Sequence, residues 1–143
     1  MYGFTRRFGQ PLPPLSGLPA RWIVTGFGVA ITLASAWLSI GAVRALGKQW
    51  SLQARVLSDH ELITTGPFAI VRHPIYTSLL GLCIVMGLAL STLPVLAVAI
   101  AFCFAGTAVR IRSEEALLRE KFGARYTDYA NYVPALIPRP RQP

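Results

Sequence analysis

Residues 75–109 read IYTSLLGLCIVMGLALSTLPVLAVAIAFCFAGTAV, 35 positions without a charged side chain. As one helix this run would extend about 52 Å, far beyond a hydrocarbon core of roughly 30 Å. It must therefore fold back or bend. LSTLPVL, residues 90–96, supplies the break. Pro94 has no backbone N–H to donate and disfavours helical geometry at Leu93. We read two antiparallel helices over 75–90 and 94–111, each near the short end for spanning. One kinked, steeply tilted helix is the competing reading.

The segment upstream repeats the signal. Residues 22–43 carry no charge and would reach about 33 Å as a helix, enough for one crossing. Charged residues make up 14% of the chain, against about 25% in a soluble domain. The expected fold is an all-α integral membrane domain with three transmembrane helices, one span plus a helical hairpin, followed by a C-terminal amphipathic helix. A single domain over 1–143 divides into an irregular Pro-rich lead-in (1–21), span one (22–43), a polar loop (44–74), the hairpin (75–111), and a charged helix with a Pro-rich tail (112–143). In the last part Leu118, Phe122, Tyr126 and Tyr129 recur at helical spacing and form an apolar stripe. Arg6 and Arg7 ahead of ASA at 34–36 resemble a leader peptide. The first 21 residues are long and Pro-rich, however, and the apolar run continues to Val43, so an uncleaved span is expected.

The net charge is +8. In a soluble domain this would suggest nucleic-acid binding. Here the basic residues flank apolar segments, which argues for topology and against a nucleic-acid partner. The loop and the C-terminal tail together hold eleven of the fourteen Lys and Arg. The positive-inside rule then places both in the cytoplasm and the N-terminus outside, with the juxtamembrane cations near lipid headgroups. Cys83 and Cys103 fall one in each arm of the hairpin, without metal-type spacing and with only two His in the chain. No metal site is expected; both are read as buried small apolar side chains.

The hairpin brings its two polar ends to one level. GPFAIVRHPIY, residues 66–76, leads in with Arg72, His73 and Tyr76; RIRSEE, residues 110–115, leads out with Arg110, Glu114 and Glu115. Ionisable groups converging at one membrane depth form a candidate site. Each has a plain structural reading as well. Arg72 suits a snorkelling anchor, Tyr76 an aromatic belt, and Pro74 a first helical turn. Glu115 precedes Arg119 by four residues, the favourable order for a helical ion pair, whereas Glu114 follows Arg110. Adjacent helical positions point about 100° apart, so Glu114 and Glu115 should do different jobs.

Together these motifs resemble the isoprenylcysteine carboxyl methyltransferase family, part of a wider group with the phospholipid N-methyltransferases. The pattern G-P-x(4)-R-H-P-x-Y, then R-x(3)-E-E-x(2)-L-x(3)-F-G-x(2)-Y-x(2)-Y, is met from Gly66 to Tyr129, and the likeness covers about residues 58–138. One departure is Ser78, where the family often has Gly; another is a single span ahead of the motif. The resemblance implies an integral-membrane methyltransferase using S-adenosyl-L-methionine. It implies that His73, Tyr76, Glu114 and Glu115 line the cofactor pocket, with Gly66 and Pro67 shaping the loop beside it. It implies Arg72 and Arg110 near the acceptor or the cofactor carboxylate.

The acceptor divides the chemistry. A carboxylate is already ionised and needs positioning by arginine; a thiol or amine must lose a proton, and His73 is then the candidate base. A membrane site suits a lipophilic or small-molecule acceptor arriving from the bilayer. Two other readings stay open: a nicotinamide-dependent membrane reductase of related fold, and a non-catalytic membrane subunit. So small a helix bundle could also need a second copy of the chain. Short length and the lack of a retention tail point to a bacterial inner membrane.

Overall fold

The computed structural model describes residues 18–49, 61–90 and 93–138, and the regular secondary structure among them is entirely helical. Helix α1 spans Leu18–Leu46, α2 spans Pro74–Leu90, α3 spans Leu93–Phe122 and α4 spans Ala124–Tyr132. Single 3-10 turns lie at Gly47–Gln49 and Gly66–Ala69. No strand occurs among the described residues. The long uncharged run folds back near Pro94 into two helices packed on each other, and is not one kinked helix. Residues 91 and 92, in the expected turn, lie outside the described residues, as do 1–17, 50–60 and 139–143.

Helix α2 lies between α1 and α3 and packs on both. Small residues let the helices close. A Cβ at Gly81 would come within 2.5 Å of Ser35 Oγ on α1, and one at Gly87 would collide with Leu96 on α3. Gly41, near the end of α1, faces the buried ring of Pro67, whose Cγ would stand 2.8 Å from a Cβ there. The loop into α2 is thereby pressed against α1.

Two stretches are long and apolar enough to cross a membrane, Trp22–Leu46 and Pro94–Phe122. Only 6% of each apolar window is buried within the chain. Trp22, Phe27, Trp37 and Phe102 are well exposed. Faces of this kind need an apolar solvent, which the bilayer supplies. Helix α2, the third expected span, has 17 residues and reaches about 26 Å, shorter than a hydrocarbon core.

Several expectations are corrected. Helix α1 starts at Leu18 and runs to Leu46, so it takes the end of the lead-in and the start of the loop. The second hairpin arm does not end near residue 111 before a separate amphipathic helix. Helix α3 continues without interruption to Phe122, because no Gly or Pro lies between Val109 and Phe122 and the Glu115–Arg119 pair supports the turn. Gly123, at φ 54°, ends it, and the short α4 starts afresh. The apolar stripe is split accordingly: Leu118 and Phe122 belong to α3, Tyr126 and Tyr129 to α4. The cysteines are not buried. Cys83 is half-buried and Cys103 exposed, with their sulfurs 3.3 Å apart, because α3 is covered by α2 on one side only.

The seam at Gly41 should tolerate no side chain. Gly41→Val is expected to lower stability by about 1–3 kcal/mol through overpacking against Pro67. Gly26→Val, with nothing within 4 Å of its Cβ, should stay within roughly 0.5 kcal/mol of wild type in the same unfolding assay.

Candidate functional site

The loop before α2 is built to deliver three side chains. Gly66 takes a positive φ of 62°, and Pro67 starts the 3-10 turn that its own carbonyl closes onto Ile70 and Val71. Val71 and Pro74 are fully buried, and His73 offers its carbonyl to Thr77 N–H at 3.0 Å as the helix begins. Ser78, one turn on, is buried and donates to the Ile75 carbonyl at 2.7 Å. Gly66 and Pro67 thus hold the loop's shape against α1, and Arg72, His73 and Tyr76 point toward α3.

Residues 133–136 fold back over this start. Their carbonyls take hydrogen bonds that a helix N-terminus must place somewhere. Arg72 N–H donates to Pro134 O at 2.9 Å, His73 N–H to Ala135 O at 3.0 Å, and Thr77 Oγ to Leu136 O at 2.8 Å. Tyr129 Oη fixes α4 to the same loop by donating to Phe68 O at 2.6 Å. Burial pushes the Tyr129 phenol up to about 12, only partly offset by Arg72.

Glu115 is the centre of the polar cluster. Its Oε1 accepts from Arg72 Nη2 at 2.8 Å and Nε at 3.1 Å, and its Oε2 from Arg119 Nη2 at 2.9 Å. His73 Nε2 lies 3.3 Å from the same Oε1. Arg72 also donates through Nη1 to the Ala130 and Val133 carbonyls, at 2.6 and 3.0 Å. Arg72 and Glu115 are only 13% and 10% exposed, so the pair is a buried knot joining α2, α3 and the C-terminal segment.

Glu114 has a different neighbourhood. Tyr76 Oη donates to its Oε1 at 2.5 Å, and Arg110 Nη2 stands 3.9 Å away. Arg110 Nε also donates to Tyr76 Oη at 3.4 Å. The rings of His73 and Tyr76 are 5.9 Å apart and tilted by 35°. Glu114 is 26% exposed and Arg110 48%, so this half of the cluster opens outward while the Glu115 half is closed.

His73 separates the two carboxylates. It is 6% exposed, and burial lowers its pKa below 6.5 even though Glu115 and Glu114 pull the other way. A neutral imidazole can give its single N–H to Glu115 only through Nε2, since a carboxylate accepts and cannot donate. Nδ1 is then an acceptor, and it faces another acceptor, Glu114 Oε2, across 3.7 Å. Two acceptors so placed call for a donor, and a cation satisfies both. Among the described residues no group of three His, Cys, Asp or Glu side chains is placed to hold a metal ion. Glu115 is already held by two guanidinium groups.

The structure therefore brings together Arg72, His73, Tyr76, Arg110, Glu114 and Glu115, and sets Gly66 and Pro67 as scaffold behind them. Sequence reasoning missed the backbone carbonyls of 130–136, which carry no side-chain signature. Pro134 and Pro138 are the available signal, because prolines keep a segment from coiling and leave its carbonyls unpaired. It also missed Tyr126, which is buried and stacks against Arg119 at 5.9 Å. The Tyr126 hydroxyl has no hydrogen-bond partner of good geometry. Burial first, and the nearby Glu115 charge second, push that phenol well above its usual 10.

The model of the isoprenylcysteine carboxyl methyltransferase family matches residues 28–120. Protein-S-isoprenylcysteine O-methyltransferase B of Arabidopsis thaliana is 30% identical over 125 residues, covering 85% of this chain and 63% of that protein. The cobalt-zinc-cadmium resistance protein CzcN of Cupriavidus metallidurans is 34% identical over 124 residues, 84% of this chain and 55% of that one. The nickel-cobalt-cadmium resistance protein NccN of Alcaligenes xylosoxydans xylosoxydans is 33% identical over 113 residues, 75% and 52%. The chain thus spans between half and two thirds of the length of these relatives.

The buried, neutral His73 makes stability pH-dependent. Below 6.5 the unfolded chain takes up a proton that the folded site resists, so this contribution is full above 6.5 and lost as pH falls toward the lowered folded value. Thermal unfolding followed across that range should show wild type losing midpoint on acidification more steeply than His73→Gln.

Proposed function

Because the chain belongs to the isoprenylcysteine carboxyl methyltransferase family, we propose that it transfers a methyl group from S-adenosyl-L-methionine to a lipophilic or small acceptor at the membrane face. The observation that carries this reading is the pair of acceptors, Glu114 Oε2 and His73 Nδ1, 3.7 Å apart at the open half of the cluster. The donor set fits the cofactor. Its ammonium suits the carboxylate and the imidazole lone pair, as a charge-assisted hydrogen-bond donor. Tyr76 offers a ring face beside it, and the outward guanidinium of Arg110 suits a carboxylate, either the cofactor's or the acceptor's. When bound, the cofactor supplies an electrophilic methyl group on a sulfonium.

The protein's own work is placement. Tyr76 and Arg110 hold Glu114 from one side, and Glu115 turns the His73 ring so that its lone pair faces Glu114. Arg72 acts as a positioning residue, since most of its N–H groups are spent on Glu115 and two backbone carbonyls. Alignment of this kind supplies much of the acceleration in a displacement reaction. The depth of His73 and its commitment to Glu115 favour an acceptor that arrives ionised, a carboxylate, over a thiol or amine that needs a base. The excess of cations in the loop and tail supports a cytoplasmic site. Two relatives carry metal-resistance names. The chemistry we assign here rests on the carboxylate–imidazole pair and not on those names.

Calorimetry with S-adenosylhomocysteine on the detergent-solubilised chain tests this reading. Wild type should bind, and Glu114→Gln should weaken binding by roughly 10- to 100-fold, the worth of one hydrogen bond to a charged group. No binding by wild type, or binding of a reduced nicotinamide dinucleotide instead, would refute it.

A further inference from the structure

The two cysteines are left unused by the site, yet their placement is specific. Cys83 on α2 and Cys103 on α3 put their sulfurs 3.3 Å apart across the hairpin. We propose that they are a redox modification site, closing to a disulfide that staples α2 to α3 inside the bilayer. This inference is independent of the methyl-transfer reading.

Distance is the first support. A disulfide needs its sulfurs at about 2.05 Å, so the pair must close by roughly 1.3 Å, a motion within reach of side-chain torsions. Access is the second. Cys83 is half-buried and Cys103 exposed, so a reagent in the surrounding medium can reach them. Depth decides which reagent. Cys83 lies about 14 Å along α2 from Pro74, and Cys103 about 15 Å along α3 from Leu93, near the middle of a hydrocarbon core of roughly 30 Å. Charged water-soluble thiols do not partition to that depth. The oxidant that fits is a lipid-soluble quinone. Both S–H bonds break, one S–S bond forms, and the two protons and two electrons pass to the quinone, whose carbonyl oxygens become the hydroxyls of the quinol. A disulfide made there is shielded from soluble thiol reductants.

The staple has a mechanical meaning. Helix α2 carries His73 and Tyr76 at its start, and α3 carries Glu114 and Glu115. A covalent link about 10 Å along α2 from Tyr76 fixes the register of those two walls. The link closes a short loop through the hairpin turn and should also raise stability.

The test uses the full chain in liposomes, treated with a fully ring-substituted benzoquinone bearing a short alkyl chain, then denatured and alkylated with a maleimide. Both thiols should become unreactive together in wild type and reappear after dithiothreitol. Cys83→Ser should leave Cys103 reactive, and Cys103→Ser should leave Cys83 reactive. The oxidised wild type should melt roughly 5 °C or more above the reduced form, a shift absent from either variant. Thiols that stay fully reactive after quinone, or a link that joins two chains instead of one hairpin, would overturn the proposal.

Discussion

The buried pair between Arg72 and Glu115 is the constraint on which the rest of the site depends. Burying two charges is costly unless every lone pair and N–H is met. Here the requirement is met by recruiting distant segments. Glu115 takes Arg72, His73 and Arg119; Arg72 takes Glu115 and the carbonyls of Ala130 and Val133. Satisfying one ion pair thus draws the start of α2, the last third of α3 and the C-terminal segment to one point. Removing Glu115 would leave the Arg72 guanidinium without its carboxylate, whereas removing Arg72 would leave Glu115 its bond to Arg119.

That knot also explains the division of labour between neighbouring carboxylates. Glu114 and Glu115 are adjacent in sequence but turn to different sides of α3. Glu115 is saturated by donors and closed from solvent. Glu114 is held by Tyr76 and Arg110 and stays partly open. The His73 ring, committed through Nε2 to the closed carboxylate, presents its other nitrogen to the open one. A rigid half therefore aims an open half, which is how a small membrane bundle can hold a polar site at its edge.

Much of this was legible in the sequence. The uncharged length of 75–109 together with Pro94 required a fold-back or a sharp bend, and the fold-back makes Arg72–Tyr76 and Arg110–Glu115 neighbours. The step of about 100° between adjacent helical positions separated the jobs of Glu114 and Glu115. Other features were not legible. Helix α3 runs past the end of its apolar stretch, because polarity changes at Arg110 while backbone preference does not change until Gly123. The C-terminal segment contributes through carbonyl oxygens, which every residue has and no motif marks. Gly66 and Pro67 owe their position to Gly41, a contact between segments that no local pattern reveals. The exposure of Cys103 follows from α2 being the helix packed beside that part of α3, a property of packing rather than of the residue.

A double-mutant cycle on Arg72→Met and Glu115→Gln, read by unfolding in detergent at neutral pH, tests the central claim most directly. If the pair organises the site, the two changes are strongly non-additive, with a coupling of about 2 kcal/mol or more, since each single variant already abandons the other partner. Additivity within about 0.5 kcal/mol would mean that the two side chains act independently, and would contradict the account.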